Sequence, residues 1–304
     1  MRATRGRRRR GNSTGGRCLV RARREAITIV THENAGPLAK GEFYAQRFLA
    51  GPDVDHYHQV AALVVAETFE QARSAAALVR IDYFRSNGSF DLEAHKPTAP
   101  LAKQGPYGGP TETAVGDFAG AFAASAVKLD ETYTTPNQAH AMMEPHATIA
   151  IWEGDKLTCW TSIQQMNWGT RDLAKALGIP KENVRLISPY IGGGFGGKGT
   201  AQSDLVMAAL GARAARRPVK LALQRPLMFN NLIHRPATIQ RIQIGATSDG
   251  KIIAIGHESL SGNLLGGRTE PTTLSTRALY AGANRMTRVR LAVLDLAEGN
   301  AMRA

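Results

Sequence analysis

A glycine-rich octapeptide constrains this chain more than any other feature of its sequence. Residues 191–198 read Ile-Gly-Gly-Gly-Phe-Gly-Gly-Lys. Five glycines around one phenylalanine let the backbone come closer to a ligand than side chains would permit. The octapeptide follows a predicted strand at 184–190 and precedes a predicted helix at 200–215. We therefore expect its amides to face a bound group near a helix N-terminus.

Two nucleotide-binding motifs fit the octapeptide only in part. Its glycines satisfy the dinucleotide pattern G-x-G-x-x-G, but that motif requires an acidic ribose ligand roughly 20 residues later. No Asp or Glu occurs from residue 205 to residue 248. Gly192, Gly197 and Lys198 match the P-loop pattern G-x-x-x-x-G-K-[ST], but Gly199 stands where a Ser or Thr hydroxyl would bind magnesium. Both kinds of nucleotide site are disfavoured, and a turn that serves only close packing is the remaining alternative.

A second segment extends the motif to a family resemblance. Residues 158–165 read Thr-Cys-Trp-Thr-Ser-Ile-Gln-Gln, and a predicted helix then ends at 177–180, before the octapeptide. This succession resembles the molybdenum hydroxylases, the family of xanthine dehydrogenase and aldehyde oxidoreductase, from about residue 27 to the end of the chain. It looks most like the N-terminal portion of the molybdopterin-binding large subunit of bacterial aldehyde oxidoreductases.

The resemblance implies a set of residues around a molybdenum–molybdopterin cofactor: Gln164, Gly193, Gly194, Phe195, Gly196 and Arg303. Because the cofactor's own sulfurs hold such a metal, no direct protein ligand is expected. A Gln amide can donate to an oxo group on the metal, and loop amides can hold nearby cofactor atoms. A Phe ring can pack against a planar substrate. We expect the cytosine dinucleotide form of the cofactor.

The residue after the octapeptide bears on the substrate. Xanthine-oxidising members of the family have a purine-binding glutamate there, whereas this chain has Gly199. A buried purine group without that partner would lose on the order of 1–3 kcal/mol. Aldehydes, aromatic ones included, are therefore favoured over the alternative of xanthine or another N-heterocycle. His234 and Arg235 stand where purine-oxidising members carry the same two residues in the opposite order. They are either substrate-pocket residues, with Phe195 and Gly199, or a surface basic pair.

One heptapeptide contains two histidines and a glutamate, His140, Glu144 and His146. Pro145 biases Glu144 towards extended backbone, which breaks the helix that a metal site at this spacing would require. In a strand, the three side chains would spread over too great a length for one ion. A first-row metal site is therefore disfavoured. The resemblance instead places Gln138 and His140 near the wall of the active site.

Charge is concentrated at the N-terminus. The formal net charge is +13, but ten arginines precede residue 25, and the remainder holds 28 basic against 25 acidic residues. We expect residues 1–25 to be a disordered basic head, and we disfavour nucleic acid as a partner. Phosphate binding by the head is the alternative.

Two cysteines, Cys18 and Cys159, are too few for an iron–sulfur cluster, which uses four thiolates. The resemblance therefore implies an iron–sulfur subunit and an FAD subunit as partners. No stretch approaches the length of a membrane span. The cysteine count fits a cytoplasmic location, with export to the periplasm alongside partners as the alternative.

The expected fold class is α/β (α+β mixed), with a small N-terminal α/β domain of the hammerhead type and its linker at 26–112. The first, incomplete part of the molybdopterin-binding domain is expected at 113–304.

Local patterns predict four features of these two domains. Strands at 59–65 and 80–84 flank a helix at 68–79 in a β-α-β-like unit. Residues 87–116, rich in Pro and Gly, predict a linker or an extended crossing segment. Hairpins are predicted with turns at 153–155 and 247–250.

The resemblance assigns the general base to a glutamate in a far C-terminal segment that this chain does not contain. Glu270 and Glu298 are near in sequence to the other site residues, and we assign the role to neither. Residues 298–304 match a family segment that continues with Pro-Gly. We therefore expect a C-terminally truncated chain that is inactive by itself; a non-catalytic binding module is the alternative.

Overall fold

The computed structural model describes residues 14–19, 26–44, 46–280 and 282–303. These ranges contain fourteen strands: β1 (Thr14–Leu19), β2 (Ala26–Thr31), β3 (Asp53–Val54), β4 (Ala62–Ala66), β5 (Arg80–Phe84), β6 (Glu112–Val115), β7 (Val127–Thr135), β8 (Ala147–Glu153), β9 (Lys156–Thr161), β10 (Val184–Ile187), β11 (Val219–Ala222), β12 (Thr238–Ala246), β13 (Ile252–Asn263) and β14 (Asn284–Val293). They also contain six α-helices: α1 (Phe69–Ala77), α2 (Phe118–Ala124), α3 (Met166–Leu177), α4 (Ser203–Ala215), α5 (Leu227–Asn230) and α6 (Thr273–Leu279). The mixed α/β fold class is confirmed.

Two small antiparallel sheets form the N-terminal part. β1 pairs with β3 and β5, and β2 pairs with β4. α1 begins as predicted, because Thr68 and Gln71 form a reciprocal capping box at its N-terminus. The predicted β-α-β-like unit is wrong, because β4 and β5 lie in different sheets. Each of them takes an antiparallel partner from the preceding chain.

Part of the predicted basic head lies in a sheet. Residues 14–19 form β1, and the disorder expected of the head stays a prediction. Backbone pairing with two neighbouring strands, which composition does not reveal, holds this strand. The rest of the predicted head, 1–13 and 20–25, lies outside the described residues.

A four-stranded sheet of order β10-β9-β8-β11 carries the site. β8 and β9 form the first predicted hairpin, with Gly154 at positive φ in its turn. β9 and β10 are parallel, so the chain leaves both strands at the same edge of the sheet. β10 ends three residues earlier than predicted. The Ser188 hydroxyl bonds to the Ile163 backbone there, and Pro189 has no N–H for the ladder.

Helix α4 lies at the centre of the core, and its residues 203–212 are all buried. It packs between the four-stranded sheet and β2 and β4. A Cβ on Gly211 would lie 3.1 Å from Leu63 and 3.2 Å from Val65, so a glycine permits this close packing. The helix begins at Ser203 rather than at residue 200, because the backbone of Gln202 is still extended.

A five-stranded sheet of order β6-β14-β13-β12-β7 forms the remaining layer. β12 and β13 are the second predicted hairpin, with Gly250 at positive φ. The Pro- and Gly-rich segment takes the extended crossing form, bonding along β14 through Pro100 and Ala102. The predicted boundary between 112 and 113 falls inside β6, and the domain division stays a prediction. None of the described helices is long and apolar enough to cross a membrane.

Asp172 of α3 joins the N-terminal part to the core. Its side chain is fully buried, and its carboxylate accepts from the amides of Glu42 (2.6 Å), Phe43 (2.7 Å) and Ala201 (3.3 Å). Phe43 also stacks on Trp168 of α3, with ring centroids 4.7 Å apart. One carboxylate therefore satisfies amides from two distant segments.

The pH dependence of stability tests this contact. Burial raises the pKa of the Asp172 carboxyl from 3.8 to about 6, although the three amides oppose the shift. A raised folded-state pKa gives stability that is complete below the unfolded pKa and is lost as pH rises through the folded pKa. We expect wild type to lose about 2 kcal/mol relative to Asp172→Asn between pH 4 and pH 7, measured by urea unfolding. A relative gain over this range would show that the amides outweigh burial.

Candidate active site

Gln164 emerges from the end of β9 directly beside the glycine-rich loop. Its backbone amide donates to Lys198 O at 2.8 Å. Its side-chain Oε1 accepts from the amides of Gly196 (3.0 Å) and Lys198 (3.3 Å). The exposed Nε2 group donates to no acceptor within the described part of the chain. Gln164 thus presents a fixed amide donor, rather than a freely rotating strand-end side chain.

Close approach explains the glycines of the loop. A Cβ on Gly194 would lie 2.5 Å from Gln164 Oε1. A Cβ on Gly196, which has a φ of +95°, would lie 2.6 Å from Ala301 O. Gly193 also has a positive φ, of +92°. The loop therefore needs glycine both for backbone conformation and for the nearness of two other segments.

Phe195 stands on the surface of this site. It has a left-handed φ of 51°, which is uncommon for a residue with a bulky side chain. Its ring is 44% exposed, so it is not a plug beneath the loop. Its carbonyl accepts from the Arg303 amide at 2.9 Å. The structure thereby brings Gln164, the loop and the Arg303 backbone together from three separate stretches, and their roles towards a cofactor stay predictions.

His234 and Arg235 are not a surface basic pair. His234 is buried, and its Nε2 donates to Asn137 Oδ1 at 3.2 Å. Burial lowers the pKa of His234 to about 4, so the ring is neutral near pH 7. Arg235 donates to Met302 O at 2.7 Å and forms an ion pair with Glu270. Arg235 thus contacts the residue before Arg303, whereas its predicted substrate role stays a prediction.

Both carboxylates considered for the general base have internal partners. Glu298 is buried and accepts from the Gln46 amide at 3.0 Å and from Asn300 Nδ2 at 2.9 Å. Glu270 pairs with Arg235. Burial raises the pKa of Glu270, and Arg235 acts in the opposite direction. Both carboxylates are therefore engaged with partners inside the chain.

Residues 140–146 pack against the loop and against the end of the chain. His140 Nε2 donates to Ala301 O at 2.7 Å, and His146 Nε2 donates to Gly197 O at 3.2 Å. Gln138 exchanges backbone hydrogen bonds with Arg235. No group of three His, Cys, Asp or Glu side chains suited to a metal ion occurs among the described residues.

Sequence reasoning missed one contact of this heptapeptide, the ion pair between Glu144 and Lys198. The two side chains meet at 2.5 Å, and Ser162 Oγ also donates to Glu144 at 2.5 Å. Partial desolvation raises the pKa of Glu144. Hydrogen bonds from Lys198, Ser162 and the Gly192 amide outweigh it and lower the pKa to about 2. The lysine that ends the motif was a signal in the sequence, but nothing there indicated its partner.

A cavity of about 500 Å³ lies away from this site. It opens at the turn between β8 and β9 and at the C-terminal ends of α3 and α4, with Trp152 and Arg213 in its wall. The turn between β8 and β9 precedes β9, whereas Gln164 follows its last residue, so the cavity and Gln164 lie at opposite ends of this strand. The chemistry of the loop therefore identifies the site better than cavity size does.

Comparisons with known families cover most of the chain. The model of the molybdopterin cofactor-binding domain matches residues 103–304. The model of the aldehyde oxidase and xanthine dehydrogenase a/b hammerhead domain matches residues 21–87. The second match begins inside the stretch predicted to be a head.

Individual relatives agree with these matches. The aldehyde oxidoreductase molybdenum-binding subunit PaoC of Escherichia coli (strain K12) is 56% identical over 278 residues, which are 91% of this chain and 37% of that protein. Xanthine dehydrogenase of Oryza sativa subsp. japonica is 29% identical over 205 residues, which are 65% of this chain and 14% of that protein. The chain thus spans little more than a third of the length of the E. coli relative.

Solved structures show the same fold. Quinoline 2-oxidoreductase from Pseudomonas putida 86 matches with a TM-score of 0.80 at 20% identity, over 95% of this chain and 40% of that chain. Aldehyde oxidoreductase from Desulfovibrio gigas matches with a TM-score of 0.75 at 18% identity, over 92% of this chain and 33% of that chain.

Two glycines at positive φ test the close approach in the loop. We expect Gly196→Ala to destabilise the chain by more than Gly250→Ala, because Gly250 has no neighbour within 4 Å of an added Cβ. The control should cost only the strain of the φ angle, about 1 kcal/mol. Urea unfolding measures both, and limited proteolysis reports whether residues 300–303 leave the loop. Equal costs would show that Ala301 does not constrain Gly196.

Proposed function

This chain belongs to the aldehyde oxidase and xanthine dehydrogenase family through its molybdopterin cofactor-binding domain, and we propose that it is the cofactor-binding part of a molybdenum-dependent aldehyde oxidoreductase. The proposed reaction converts aldehydes to carboxylic acids with oxygen from water. The observation that carries the proposal is the Gln164 amide, held by two loop amides with its donor end exposed beside Phe195.

The residues present fit a molybdopterin cofactor. Gly194 and Gly196 let the loop pack against Gln164 and Ala301, and this packing holds the exposed Gln164 amide as a donor that a large planar group could meet. Gln164 Nε2 would donate to an acceptor atom of the group, and the Arg303 side chain, exposed next to Phe195, would stand beside it. When bound, the cofactor supplies the redox chemistry of the hydroxylation. This chain's own part is to bind, orient and hydrogen-bond.

Apolar side chains around the loop support an aromatic aldehyde as the substrate. Besides Phe195, the exposed side chains include Tyr190 and Ile191, which precede the loop in the chain, and Met143 of residues 140–146. Aromatic and thioether side chains favour flat apolar ligands. Gly199 offers no side chain to a purine. Xanthine or another N-heterocycle is the alternative substrate.

The electron path lies outside this chain in our proposal. An iron–sulfur subunit and an FAD subunit receive the electrons, and the cofactor is the cytosine dinucleotide form. We place the enzyme in the cytoplasm, with export alongside its partners as the alternative. We also propose that the 304 residues alone do not oxidise aldehydes, since Glu270 and Glu298 are both engaged internally.

Substitution of Gln164 separates its two hydrogen-bonding roles. Gln164→Glu keeps the acceptor for the loop amides but removes the donor, whereas Gln164→Ala removes both. In the holoenzyme that contains this chain, we expect Gln164→Glu to lower kcat per bound molybdenum by about 100-fold, as for other lost transition-state donors. Molybdenum content is the control for cofactor loading. A Gln164→Glu enzyme as active as wild type would exclude the donor role.

Substrate preference follows from the position after the loop. We expect kcat/KM for benzaldehyde to exceed that for xanthine by at least about tenfold, because a purine would bury a polar group without a partner. Steady-state assays with an artificial electron acceptor measure both values. A preference for xanthine would favour the alternative substrate class, and a wild-type holoenzyme without molybdenum would reject the proposed function altogether.

A further inference from the structure

We infer that Glu144 is a positioning residue, whose carboxylate holds the glycine-rich loop (residues 192–198) in the conformation that orients the Gln164 amide. The inference rests on the proposed function for the role of Gln164. It does not require Glu144 to touch substrate or cofactor.

One oxygen atom of Glu144 accepts hydrogen bonds from three donors. Glu144 Oε2 accepts from the Gly192 amide at 2.8 Å, from Lys198 Nζ at 2.5 Å and from Ser162 Oγ at 2.5 Å. Gly192 and Lys198 are the first and last residues of the loop, and Ser162 lies two residues before Gln164. The carboxylate therefore ties both ends of the loop to the strand end that carries Gln164.

Charge makes this contact strong. The Lys198 side chain is 0% exposed, and a buried ammonium is costly without an opposite charge. Glu144 is its ion-pair partner, and Ser162 Oγ accepts a second hydrogen bond at 3.0 Å. Lys198 is thereby held in one position.

Backbone contacts transmit that position to the site. The Lys198 amide donates to Gln164 Oε1, and Lys198 O accepts from the Gln164 amide. Release of Lys198 would remove one of the two hydrogen bonds to Gln164 Oε1 and the hydrogen bond of the Gln164 amide, leaving the Gly196 amide as the remaining donor to Oε1. The expected consequence is a less precisely oriented Nε2 donor.

The first test is Glu144→Gln in the holoenzyme, followed by hydrogen–deuterium exchange. We expect amides of residues 192–198 to exchange at least about tenfold faster, the ratio that loss of one hydrogen bond to a charged group implies. β12 and β13 should exchange as in wild type. The matched control is Glu67→Gln, which breaks the exposed ion pair with Arg217 and should leave the loop unchanged. Unchanged loop exchange in Glu144→Gln would overturn the inference.

Kinetics separates positioning from general stability. Per bound molybdenum, we expect Glu144→Gln to lower kcat at least about tenfold, with KM within about twofold of wild type. Normal kcat together with a loosened loop would overturn the link to Gln164. Exchange is measured without turnover, so a wild-type enzyme lacking molybdenum would reject the proposed function and leave the exchange result valid.

A milder variant serves if Glu144→Gln does not fold. Ser162→Ala removes one of the three donors and no charge, and we expect it to speed loop exchange by about threefold, the effect of a weak neutral hydrogen bond. Its kcat should fall in parallel. A Ser162→Ala enzyme with wild-type exchange and wild-type kcat would count against the inference.

Discussion

A buried positive charge organises the site of this protein. The ammonium of Lys198 lies out of contact with solvent, so the fold must provide an anion and further acceptors around it. Glu144 provides the anion, although it lies 54 residues earlier in the chain. The loop, the end of β9 and the heptapeptide beneath them come together because each supplies one part of this neutralised group. The ion pair adds a charged contact to the hydrogen bonds that already join these segments.

The glycines of the loop follow from the same arrangement. Parallel pairing of β9 and β10 delivers Gln164 and the loop to one edge of the sheet, where their backbones nearly touch. Gly194 makes room for the Gln164 side chain, and Gly196 makes room for Ala301. Glycine is required at these positions because three segments of the chain meet there without room for a Cβ atom. The spacing of these glycines also explains why the loop matches the dinucleotide pattern and the P-loop in part, although the acidic ribose ligand and the magnesium-binding hydroxyl of those motifs are absent.

Local signals in the sequence were sufficient where a turn or a cap decides the structure. α1 begins within one residue of its predicted start, α3 ends inside the predicted range 177–180, and the Asp-Gly turn before β13 lies where the pattern predicts it. Strand pairing was not predictable in this way. β4 and β5 have suitable patterns for a parallel unit, yet each finds an antiparallel partner elsewhere, because pairing depends on which strands are adjacent in space. β1 likewise forms in a stretch whose charge indicated disorder.

The sequence by itself determined the family and the glycine-rich loop, because short motifs record the residue types that a chemistry requires. It also predicted cofactor roles for Gln164, Phe195 and Arg303, which stay predictions. Only the tertiary structure decided that Glu144 is the partner of Lys198, that His234 is a buried neutral ring and that Arg235 pairs with Glu270. The two ion pairs join residues 35 and 54 positions apart, and the neutral state of the histidine is a result of its burial. Spacing along a chain does not encode either property, since both depend on desolvation within the folded core.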